Sequence, residues 1–99
     1  MANLPAIAKA TRASASALAA QQRLGRRIEE LERHLAQLVD ARASYDPLRS
    51  GATWASEMRA AEAGIRDALD KATKARRAAH RRWANAQAVL AANPLPGDR

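Results

Sequence analysis

The chain has two histidines, His34 and His80, and no cysteine among its 99 residues. Without a thiol it can hold no disulfide, no cysteine nucleophile and no thiolate zinc site. Glu30 and His34 stand four apart, which places both side chains on one face of a helix. Two ligands without a third make a poor metal site, so the pair reads as a surface hydrogen bond, and neither a metal nor a cofactor is expected. There is no glycine-rich phosphate loop, no facing pair of carboxylates and no nucleophile beside a base. This inventory points away from an enzyme and from small-molecule binding.

The residues left with chemistry to offer are cations. The net charge of +7 is unevenly placed: residues 1–27 and 71–97 hold eleven Lys or Arg and no acid, while residues 28–70 hold five Arg and nine acids. Eight side chains are the candidate contacts to an acidic partner: Arg23, Arg26, Arg27, Lys71, Lys74, Arg77, Arg81 and Arg82. Like charges this dense repel one another, and an acidic partner lowers that cost. Phosphates of a nucleic acid, an acidic protein surface, or a second copy docked in reverse would each supply the negative charge. Reverse docking of a second copy uses both signs of the charge map. A solvated basic face with no partner is the plain alternative. Arg81-Arg82-Trp83 has the makings of a base-stacking site or of an amphipathic face on an anionic membrane. Trp83 also falls on the apolar seam described next, and packing is the preferred reading.

The elements that must carry these cations are helices. Alanine dominates a hydrophobic fraction of 47%, phenylalanine is absent, and the aromatics are Tyr45, Trp54 and Trp83 alone. Such a composition suits long, closely packed helices. Pro5 fits the first turn of one helix, Asp46-Pro47 ends it, and Ser50 or Thr53 is placed to cap the next. Asn93-Pro94 stops the second helix. The expected layout is helix 5–45, turn 46–52, helix 53–93 and tail 94–99, with each helix about 60 Å long.

Both helices carry a heptad seam. In the first the large members are Ile7, Leu24, Ile28, Leu31, Leu35, Leu38 and Tyr45, with Arg42 also on the seam. In the second they are Trp54, Met58, Ile65, Leu69, Trp83 and Leu90, with Arg76 on the seam and Ala61 preceding Ile65. The steps Ala61–Ile65–Leu69 form a stutter that relaxes the supercoil locally. Folded about residue 49 or 50, residues whose numbers sum to about 100 face each other, and large side chains mostly meet small ones. The fold class is therefore all-α, an antiparallel two-helix hairpin forming a single domain. Gly64, beside Ile65, is either a point of close backbone approach or a surface glycine. Leu18, Val39 and Val89 widen the apolar stripe beyond what one partner helix covers. Self-association into a helical bundle is the default expectation.

Residues 1–28 are basic and serine-containing, as transit peptides are, but lack the apolar core of a secretory signal. The heptad runs through them unbroken, so a cytoplasmic mature segment is expected. No run reaches the roughly 20 apolar residues of a membrane span. No residue motif assigns a family; the chain resembles the coiled-coil stalk proteins of flagellar and type III secretion in periodicity alone. The functional expectation is a non-enzymatic coiled-coil adaptor or structural protein. It docks helical or acidic partners through its basic end, with nucleic-acid binding as the alternative.

Overall fold

A computed structural model of the chain describes residues 3–44 and 51–94. It contains two helices, α1 (Leu4–Ala43) and α2 (Ala52–Ala92), which pair as a helical hairpin, with no strand among the described residues. Each boundary lies within two residues of the sequence expectation. Tyr45, Asp46-Pro47, Ser50 and the tail from residue 95 lie outside the described residues.

Local chemistry sets the ends. Asn3 caps α1: its side-chain oxygen accepts from the Ala6 amide at 3.2 Å, and its carbonyl accepts from the Ile7 amide at 2.9 Å. Pro5 then sits inside the first turn, where its missing N–H leaves no bond unmade. The cap itself was not anticipated from the sequence, although asparagine is a preferred N-cap residue. Thr53 falls inside α2 and cannot cap it, because the helix already starts at Ala52. Gly51, immediately before, has φ of 72°, a left-handed conformation that costs glycine little and other residues more. At the far end Asn93 donates from its side chain to the Val89 carbonyl at 2.8 Å, and Pro94 follows.

The inward face of α2 departs from the expected seam at one point. Ala61 is exposed and Glu62 is turned inward, with its side chain only 13% exposed. With Glu62 in place of Ala61, the inner positions run Trp54, Met58, Glu62, Ile65, Leu69, Ala72, Arg76, Ala79, Trp83, Ala86, Leu90. From Met58 onward that series alternates 4 and 3, so the 4-4 step expected at Ala61–Ile65–Leu69 falls at Trp54–Met58–Glu62 instead. The apolar-only reading selected the wrong neighbour because a carboxylate was assumed to face water.

The chain divides into two compact units, each built from a stretch of both helices. The terminal unit, residues 3–25 and 75–94, has a core of alanine: Ala10, Ala17, Ala20, Ala79 and Ala86 are buried, Ala79 completely. Ile7, Leu24, Trp83 and Leu90 are half-buried around them. The central unit, residues 26–44 and 51–74, buries Leu31 and Ala72 and half-buries Ile28, Leu35, Leu38, Trp54, Met58, Ile65 and Leu69. Alanine lets helix backbones approach closely, at the short end of the usual 8–10 Å interaxial range.

Candidate partner-docking site

In the terminal unit the register is fixed by polar contacts between the helices. Gln87 Nε2 donates to Ser14 Oγ at 2.7 Å, and His80 Nδ1 lies 3.3 Å from Gln21 Oε1. Both pairs have residue numbers that sum to 101, one more than the sequence expectation. Arg76 follows the same register. Its guanidinium covers Gly25, where an added Cβ would stand 3.4 Å from Arg76 Nη2. Gly64, by contrast, has open space around it and is a surface glycine. Trp83 is half-buried, its ring centroid 5.7 Å from that of His80 and tilted by 31°.

The ion pairs sort the candidate cations. In the central unit Arg27 reaches Glu30 at 3.4 Å, Lys71 reaches Asp67 at 3.0 Å, and Lys74 reaches Asp70 at 2.9 Å. Glu30 therefore serves Arg27 rather than the His34 expected from its spacing. Glu62 takes Arg42 from the other helix and Arg66 from its own, the latter at 2.9 Å. The Arg66 hydrogen bond, with the charge of Arg42, holds the Glu62 carboxyl below its ordinary value against a smaller opposing effect of desolvation. The described residues of the central unit hold eight cations and eight acids, so the unit is neutral.

The described part of the terminal unit holds Lys9, Arg12, Arg23, Arg76, Arg77, Arg81 and Arg82, all exposed, and no acid. None of them makes an ion pair among the described residues. The formal charge of +7 is thus carried by this unit. Of the eight candidate contacts, Arg23, Arg77, Arg81 and Arg82 belong here; Arg26, Arg27, Lys71 and Lys74 belong to the central unit, and three of those four are engaged by acids.

An open groove of about 420 Å³ runs beside these charges. Ala6, Ala10 and Ala13 line it from α1, and Ala86 and Val89 from α2, while Lys9, Arg82 and Asn85 complete its wall. The sequence reading pointed away from small-molecule binding and did not anticipate this groove. The signal was present in the heptad: Ala6, Ala13 and Ala20 recur at sevens beside the seam, leaving a flank with no bulk. Exposed apolar side chains lie in the same unit at Leu4, Leu18 and Val89, and Val39 lies in the central unit.

No group of three or more potential metal ligands occurs among the described residues, and no helix there is long and apolar enough to cross a membrane. Comparison with protein-family models, with characterised proteins and with solved structures finds no match to the chain.

Proposed function

We propose that the protein is a non-enzymatic helical adaptor that assembles with a helical, acidic partner through its terminal unit. One observation carries this reading: among the described residues, seven cations without an acid share a compact unit with an open, alanine-lined groove. An unneutralised charge of that size raises the energy of the unit alone, and a carboxylate-bearing partner lowers it. The groove supplies apolar area that a packed helix would cover.

The same cations favour a second reading, binding to nucleic-acid phosphates. The two readings separate on salt. Phosphate binding falls with a slope of about −0.9 per contact on duplex in a log–log plot, and Arg77→Glu with Arg81→Glu weakens it on all sequences alike. For the adaptor, duplex binding is weak and gone near ~0.15 M salt, while the same double substitution disrupts the protein complex. Sedimentation equilibrium of the chain with and without a candidate partner reads the second arm. Tight duplex binding at that salt, with every protein complex indifferent to the double substitution, contradicts the adaptor.

A further inference from the structure

Resting on the adaptor reading, we infer that the groove between Ala6, Ala10 and Ala13 of α1 and Ala86 and Val89 of α2 seats one amphipathic helix of a different protein, with leucine-sized side chains in the groove and carboxylates at Lys9 and Arg82. The lining sets the shape. Ala10 and Ala86 are buried, each only 5% exposed, and form the floor, while Ala6, Ala13 and Val89 are the walls. All but one of these side chains is a methyl group, so the volume is filled from the occupant's side; small facing large closes such a layer without voids. A helix is the element that presents large side chains along one line at intervals of three and four residues.

Charge selects the occupant. Lys9 and Arg82 line the groove and have no ion pair among the described residues. A second copy does not meet this need. Its terminal unit brings another seven cations, and its central unit has no net charge: Glu30, Glu62, Asp67 and Asp70 are engaged, and the remaining acids Glu29, Glu32, Asp40 and Glu57 share the unit with Arg26, Arg33 and Arg59. Reverse self-docking, attractive from the sequence, is weakened once Arg26, Arg27, Lys71 and Lys74 are counted with the acids beside them, because the unit then has no net charge to offer. Phosphate backbones do not account for the apolar lining.

The test is fluorescence anisotropy of the full chain with two labelled 21-residue synthetic helices. Both carry leucine at heptad spacing, one flanked by glutamates and the other by lysines. The acidic helix binds, and the basic one binds at least about tenfold more weakly at ~0.15 M salt. Lys9→Gln, Arg82→Gln and Ala13→Gln, which fills the groove from an exposed wall position, each weaken the acidic helix about tenfold. Arg59→Gln removes the same charge from an exposed position of the central unit, outside the groove lining, and changes binding by less than about twofold. Circular dichroism checks that every variant keeps its helicity.

If the acidic helix binds but Ala13→Gln and Lys9→Gln behave like Arg59→Gln, the groove assignment is overturned and the adaptor reading stands. If no acidic helix binds even at low salt and the chain sediments as a monomer, both are overturned. A homodimer broken by Ala13→Gln makes a second copy the occupant and overturns the heterologous assignment. Displacement of the helix by duplex DNA through the same two cations does so as well, in favour of phosphate.

Discussion

Glu62 is the residue at which hydropathy and structure part. It takes an inward heptad position, and two arginines compensate it, Arg42 from the facing helix and Arg66 from its own. Because its folded carboxyl titrates below the ordinary 4.5, its contribution is present above that value and is lost as pH falls through the depressed folded value. Thermal melts from pH 7 to pH 2 should therefore show an acid-dependent loss of stability that Glu62→Gln reduces. A variant that keeps the full acid dependence would assign it to other carboxylates. Glycine gives a second comparison. Gly64→Ala enters open space and should stabilise the chain by about 1 kcal/mol. Gly25→Ala meets the flexible end of Arg76 at 3.4 Å, so its gain should be smaller. Denaturant midpoints of the two variants check the order.

At the scale of the elements, much was legible before the structure. The proline punctuation placed the helices because proline acts on local backbone geometry, which needs no tertiary information. The seam of α1 was legible for a related reason: Leu24, Ile28, Leu31, Leu35 and Leu38 are large, and only one face can bury them. Three features were hidden. Asn3 caps a helix whose start was marked by Pro5 instead. The Ala61–Glu62 exchange depends on cations brought by Arg42 and Arg66. The groove arises from what alanines do not fill, which a count of apolar residues cannot register. Close packing in the terminal unit rests on alanine at completely buried Ala79. Ala79→Leu should overpack it and cost about 1–3 kcal/mol, read as a lower unfolding midpoint. A neutral or stabilising result would mean that the helices have room there.

For the whole molecule, charge decides between partners. The sequence showed eleven basic and no acidic residues near the two ends, but not which of them stay uncompensated. Helical spacing places Asp67 against Lys71 and Asp70 against Lys74, withdrawing two cations from the candidate set. What remains is a neutral unit and a unit carrying the net charge, and the second also holds the groove. The central claim is that this second unit recognises an acidic helix rather than phosphate. Its most direct measurement is a competition at ~0.15 M salt, where bare phosphate contacts are strongly weakened. Full-length protein is titrated into a labelled acidic amphipathic helix, and unlabelled duplex DNA is then added in excess. The account predicts that the helix binds and that duplex fails to displace it. Complete displacement by duplex, with a steep loss of duplex affinity as salt rises, would contradict it.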